Sequence, residues 1–255
     1  MQNRPENICS SRDPSYEETS LRQDDIRLYK SKLTLRDLLR NSTISTRKVS
    51  QDDILPEGHP GACTGLSTIH IMRQLNSDKL IPHNPFEDTN QLNQAIALHE
   101  TCRSETFCMI RHGIKNILTE QDKIIKKSKP SNLIAAFENS DPNKLEQKLL
   151  KAVNDTHHDG KSRGIYVIHD IPSPHHEPTN QDNQVSTHTL SMTIQRDNKT
   201  KEMFCTGMDS NAFFLWGQNK NDCEQIAGVL SALPNQIHQS TNAACFTITK
   251  KPSHE

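Results

Sequence analysis

The spacing of apolar residues changes once along this chain, near Gly160, and that change sets the fold class. Before it, apolar positions recur every three or four residues, as on one face of a helix; after it they alternate, as on one face of a strand. Helices first and an antiparallel meander second predict an α+β architecture.

Within the helical part, Asp25 to Leu39 carries Ile26, Leu28, Leu33, Leu35, Leu38 and Leu39, enough for a short helix or two, with Thr34 as an N-cap. Pro56, Gly58, Pro60 and Gly61 break regular structure between Asp52 and Cys63. A helix then starts abruptly, with Leu66, Ile69, Ile71, Met72 and Leu75 at helical spacing, so Cys63 lies at or near its N-terminus. Residues 88–129 predict one or two amphipathic helices with Leu92, Ile96, Leu98, Phe107, Ile110, Ile114, Ile117 and Leu118 towards the core. Residues 131–153 predict another helical region, interrupted near Asp141-Pro142 and followed by a turn at His157-His158-Asp159-Gly160.

In the alternating part, strands are predicted over Gly164–Ile171, Thr187–Gln195, Glu202–Asp209 and Phe213–Trp216, with a helix from Asn221 to Leu233 and a last strand at Phe246–Thr249. Asp197-Asn198 marks a hairpin turn. The ends differ in character. Residues 1–24 are polar, aperiodic and contain Pro5 and Pro14, so they predict a flexible tail; 25–249 predict one folded domain, and 250–255 a polar C-terminal tail.

Composition removes several classes of function. With 255 residues the chain is long enough for a sizeable core. Counting Gly and setting Tyr aside, about 35% is apolar against ~45–50% in an average domain, which agrees with a partly unpacked chain. A formal charge of −1 gives no general attraction for phosphate backbones, so no nucleic-acid partner is expected. No run approaches the ~20 apolar residues of a membrane span, and Met1 to Ser20 lacks the apolar core of a signal peptide. Seven cysteines at irregular spacing (9, 63, 102, 108, 205, 223 and 245) fit reduced thiols rather than a disulfide framework.

Cysteine attacks as a thiolate, which a helix N-terminus and a neighbouring imidazolium both favour, and a catalytic thiol is expected to be partly exposed. Cys63 has the first by context. In Gly61-Ala62-Cys63-Thr64-Gly65-Leu66-Ser67, small flanking residues suggest close approach by a substrate backbone. The best-placed base is His188, at the head of a predicted strand between Thr187 and Thr189, and Asp209 on the next strand is placed to orient its ring. A tight hairpin near Asn198-Lys199 sets His188 directly opposite Asp209 on one face.

Three blocks carry a resemblance: Gly61 to Ser67, Thr187-His188-Thr189-Leu190-Ser191, and Met208-Asp209-Ser210-Asn211-Ala212-Phe213-Phe214-Leu215-Trp216. Their candidate residues are 125 and 21 positions apart. In these blocks, over roughly residues 50–235, the chain resembles the YopT/AvrPphB-type effector cysteine proteases of bacterial pathogens, a papain-like family. The resemblance implies an N-terminal helical lobe carrying the nucleophile Cys63 and a C-terminal antiparallel sheet carrying His188 and Asp209. It also implies hydrolysis of peptide bonds in host proteins, in host cytoplasm, after delivery by a specialised secretion system. Papain-like enzymes usually place an amide side chain upstream of the cysteine as an oxyanion donor; near Cys63 stand Glu57, His59 and Pro60, and only the more distant Gln51 carries an amide.

No cofactor is needed for such chemistry. The same thioester also serves transglutamination or glutamine deamidation, and a binding protein can keep the fold without the reaction. His99, Cys102, Cys108 and His112 do not share one helix face, and His157-His158-Asp159 and His175-His176-Glu177 fall in loop-like stretches without zinc-site spacing, so no metal is expected. The basic run Lys123 to Lys129 reads as a solvated helix face, and the helix through Ile226, Val229 and Leu230 as core.

Overall fold

A computed structural model describes residues 34–39, 43–57, 59, 61–77, 89–103, 133–140, 142–171, 186–240 and 243–250. The polar tail 1–24, the first part of the 25–39 helical region, the helical prediction beyond 103 with its basic run, Cys9, Cys108, His112, the 175–177 cluster and residues 251–255 lie outside the described residues. In order, the elements are α1 (Leu35–Leu39), β1 (Ser45–Lys48), a 3-10 turn (Gln51–Asp53), α2 (Cys63–Asn76), α3 (Thr89–Arg103) and β2 (Leu133–Ser140). They continue with α4 (Leu145–Asp159), β3 (Arg163–Ile171), β4 (Ser186–Arg196), β5 (Met203–Asp209), β6 (Phe213–Gly217), α5 (Lys220–Ala232) and β7 (Ala243–Lys250).

The seven described strands form one sheet in the order β1-β6-β5-β4-β3-β7-β2, every described neighbour pair antiparallel. The fold is α+β. The predicted meander β3 to β6 is its centre. Two of its strands were not foreseen. Leu133–Ser140, read from sequence as helical, is β2 and pairs along its whole length with β7; a short apolar run between Pro130 and Pro142 suits either state, and pairing to β7 decides it. Ser45–Lys48 forms β1 against β6. The sheet thus draws strands from the N-terminal part as well, and the helix-then-sheet division is incomplete.

One face of the sheet carries the main apolar cluster. Ile165 and Val167 of β3, Leu190, Met192 and Ile194 of β4, and Phe213 and Leu215 of β6 pack there with Leu35 and Leu39 of α1, Leu145, Leu149 and Val153 of α4, and Ile226, Val229 and Leu230 of α5. Asn219 caps α5 by accepting from the Asp222 N–H at 2.9 Å. Gly160, at φ +69°, ends α4, so His157-His158-Asp159 form its last turn rather than a loop. Asp159 there binds the Arg163 guanidinium at 2.7 and 2.9 Å, which holds its carboxyl down to about 2.

The opposite face receives α2, buried at nearly every position from Cys63 to Leu75. The alternate residues of β4 are polar, and instead of facing water they meet α2. Thr64 Oγ1 lies 2.8 Å from Thr189 Oγ1, and the Ser67 hydroxyl donates to the Thr189 carbonyl at 3.2 Å. His70 spans Ser191 Oγ (2.8 Å) and Thr206 Oγ1 (2.7 Å), and Gln195 donates to the Gln74 carbonyl at 2.6 Å. Positions 64, 67, 70 and 74 form one helical stripe, docked along the sheet. Burial drives the pKa of His70 down to about 3, so its ring is neutral and bridges two hydroxyls as one donor and one acceptor.

Farther along α2, Ile71 and Leu75 press on Gly164, where a Cβ would stand 2.3 Å from Ile71 Cγ2. Replacing His70 by Leu takes the ring partner from the buried Ser191 hydroxyl and leaves Thr206 with Thr193 alone. We expect His70→Leu to cost about 2–4 kcal/mol in urea unfolding, and a loss below about 0.5 kcal/mol would contradict the docking role.

Candidate active site

Cys63 is the first residue of α2. The first intrahelical bond runs from Leu66 N–H to the Ala62 carbonyl at 2.8 Å, so the N–H groups of Cys63, Thr64 and Gly65 have no acceptor within the helix. The N-cap residue, Ala62, makes no side-chain capping hydrogen bond to them. The helix therefore presents a partly positive tip beside the thiol.

The tip is tied to the sheet through Gln51. Its Oε1 accepts from the Ala62 N–H at 2.7 Å, its Nε2 donates to Asn211 Oδ1 at 2.5 Å, and its backbone N–H donates to the Ser210 carbonyl at 2.7 Å. The two glycines flanking the thiol serve this packing. Gly61, at φ +115°, lies against the Gln51 side chain, and a Cβ on Gly65 would fall 1.8 Å from the Ala95 carbonyl oxygen of α3.

His188 and Asp209 stand at the end of the sheet nearest this tip. Asp209 Oδ1 meets His188 Nε2 at 2.9 Å and also accepts the Asn211 N–H at 2.9 Å. The register differs from the sequence expectation. Asp209 pairs with Leu190, not His188, because the hairpin closes on Asp197 and Glu202 (N–H to carbonyl, 2.9 Å) around four residues, with Lys201 at φ +65°, in place of a two-residue turn. A slip of two residues keeps every side chain on its face, so His188 becomes a diagonal neighbour and still reaches the carboxylate. With Nε2 on Asp209, the other ring nitrogen is left for Cys63, to which His188 hydrogen-bonds.

Cys63 is 6% exposed, less than expected for an attacking thiol. Burial alone would push its pKa up. Hydrogen bonds from the His188 and His99 rings, with their charge interactions, outweigh burial and hold the thiol well below its ordinary range. Burial likewise opposes a charged His188, but the Asp209 carboxylate and the Cys63 thiolate raise it to about 10. Both directions favour a thiolate–imidazolium pair. Cys205 behaves oppositely: burial in the core and the adjacent Cys223 thiol drive it well above the usual value.

Two more imidazoles pack on His188, His169 with ring centres 5.6 Å apart and His238 at 6.2 Å. Burial, then the positive His188, keep His169 down at about 3, and the same causes hold His238 at about 4. Both are neutral near neutrality. His169 Nδ1 lies 2.9 Å from Ser240 Oγ and 3.1 Å from the Asp170 carbonyl.

All three residues singled out from sequence are thus brought together. His99 was weighed in the sequence only as a metal ligand and overlooked as a neighbour of the thiol; its spacing from Leu92, Ala95 and Ile96 on one helix face was the available signal. Among the described residues no group of three or more His, Cys, Asp or Glu is arranged to hold a metal, and no helix is long and apolar enough to cross a membrane.

No family model matches the chain, and no curated protein matches it. Among solved structures it is similar to the crystal structure of the Pseudomonas avirulence protein AvrPphB, at 13% identity over 79% of this chain and all of that one, with a TM-score of 0.42.

The site predicts a stability profile. Between pH 6.5 and 9, the ordinary values of the two groups, the pair holds one proton in both states: on His188 when folded, on the thiol when unfolded. Below 6.5 the unfolded chain protonates His70, His169, His238 and His188, whereas the folded protein keeps the first three neutral down to about 3 to 4 and gains no further proton at His188, so stability falls by about 1.4 kcal/mol per pH unit for each. Above 9 only the folded protein keeps the His188 proton, until about 10, so stability falls again. Urea unfolding from about pH 5 to 10 measures this plateau; stability that rises on acidification from 6.5 would contradict it.

Proposed function

We propose that this chain is a thiol-dependent hydrolase that cuts peptide bonds of host proteins through Cys63, His188 and Asp209, in a papain-like arrangement. The observation that carries the reading is the thiol at an open helix start, hydrogen-bonded to an imidazole whose far nitrogen meets a buried carboxylate at 2.9 Å. The three blocks resembling effector proteases support a substrate among host proteins and delivery into host cytoplasm by a specialised secretion system.

The Cys63 thiolate attacks the carbonyl carbon, forming a C–S bond and an oxyanion that faces the free N–H groups at the tip of α2. The C–N bond breaks as His188 gives its proton to the departing amine. Water then loses a proton to His188, attacks the thioester, and the C–S bond breaks with its electrons returning to sulfur. Asp209 fixes the His188 tautomer and steadies the imidazolium. Gln51, anchored at Ala62 and Asn211, is the side-chain amide we assign as companion donor to the oxyanion. No cofactor enters these steps.

A host-cell lysate incubated with the intact chain or with Cys63→Ala tests the reading by mass spectrometry of new termini. Cleavages made by the wild type should fall by a factor of about 10³ or more in the variant. Identical digests would contradict the reading, and a Cys63-dependent +1 Da shift or crosslink without cleavage would replace hydrolysis by deamidation or transglutamination.

A further inference from the structure

The thiol touches two imidazoles, and the catalytic scheme above uses one. His99 approaches from α3, on the side of α2 that faces away from the sheet. Its place follows from a close helix crossing. Gly65 has no side chain, the Ala95 backbone fills the space a Cβ would need, and Ala95 is fully buried. One helical turn beyond Ala95, His99 reaches the first residue of α2 and hydrogen-bonds the Cys63 thiol. Leu92, Ile96 and Leu98 pack α3 against the cluster containing Ala62 and Leu66, which holds that turn in place.

The two imidazoles are not equivalent. His188 has the Asp209 carboxylate at its far nitrogen, so it can carry a proton and pass it on. His99 Nδ1 is buried and has no hydrogen-bond partner among the described residues. His99 lacks such a carboxylate brace, and its ring offers the sulfur an N–H.

We propose that His99 is a second hydrogen-bond donor to the Cys63 sulfur, keeping the thiolate formed whether or not His188 holds its proton. This rests on the thiol-hydrolase reading above. The role matters most when the thioester is hydrolysed. As water adds and its proton passes to His188, the C–S bond breaks and charge builds on sulfur; the His99 N–H stabilises that departing thiolate and transfers no proton itself. The chain thereby divides two tasks that a single imidazole would otherwise combine, proton transfer at His188 and anion stabilisation at His99.

Iodoacetamide alkylation of Cys63 in the full chain, followed by peptide mass spectrometry as a function of pH, reads the thiolate directly. His99→Phe fills the volume without a donor, and His99→Gln restores an N–H without a titrating ring. The acid limb should move up by about one pH unit in His99→Phe, a roughly tenfold slower reaction on that limb, while His99→Gln retains most of the wild-type reactivity. A His99→Phe profile that superimposes on the wild type overturns the inference, as do equal shifts in both variants, which would mark a purely structural role. If His188→Ala still shifts the limb in either case, the hydrolase reading survives alone. A wild-type Cys63 with the profile of an ordinary thiol overturns both.

Discussion

The position of the tip of α2 governs this site, and a buried polar stripe sets it. An apolar helix face slides and rotates on a sheet at modest cost, because apolar contacts carry little direction. Thr64, Ser67 and His70 instead meet particular hydroxyls and a carbonyl of β4 and β5, and the Gln74 carbonyl accepts from the Gln195 amide. A shift of even one residue would leave several of these groups desolvated and unpaired, at about 1–3 kcal/mol each. The same stripe that fixes the register of the helix therefore fixes the sulfur at its first residue to within reach of His188.

Around the sulfur, burial and pairing oppose each other, and the outcome differs from group to group. Burial is the largest influence on His70, His169 and His238 and keeps them neutral. His188 is as deeply placed but has Asp209 on one nitrogen and Cys63 on the other, so pairing wins and the ring stays charged. A charged His188 in turn disfavours protonation of His169 and His238. The cluster thereby confines its positive charge to the one imidazole that can deliver a proton to a leaving group.

Much of this was legible from residue order. The alternation after Gly160 yields the β3–β6 meander and places Leu190, Met192 and Ile194 in the core, and Gly61 to Ser67 places Cys63 at a helix start. The face shared by His188 and Asp209 was also readable, since parity survives a two-residue slip, although the loop length that sets the register was not. What stayed hidden depends on contacts between distant segments. Leu133–Ser140 is a strand because β7 lies beside it. The role of Gln51 requires that the β5–β6 turn come to meet it, and that of His99 requires the Gly65–Ala95 crossing. The polar residues of β4 and α2 read separately as ordinary surface positions, and only docking makes them core.

The resting charge state of Cys63 is the claim on which this account stands. It is measured most directly by the thiolate absorbance near about 240 nm, taken as wild type minus Cys63→Ser across a pH titration. One thiolate should be present at neutrality and persist well into the acid range. A difference signal that emerges only near pH ~8.5, where an unperturbed thiol ionises, would contradict it.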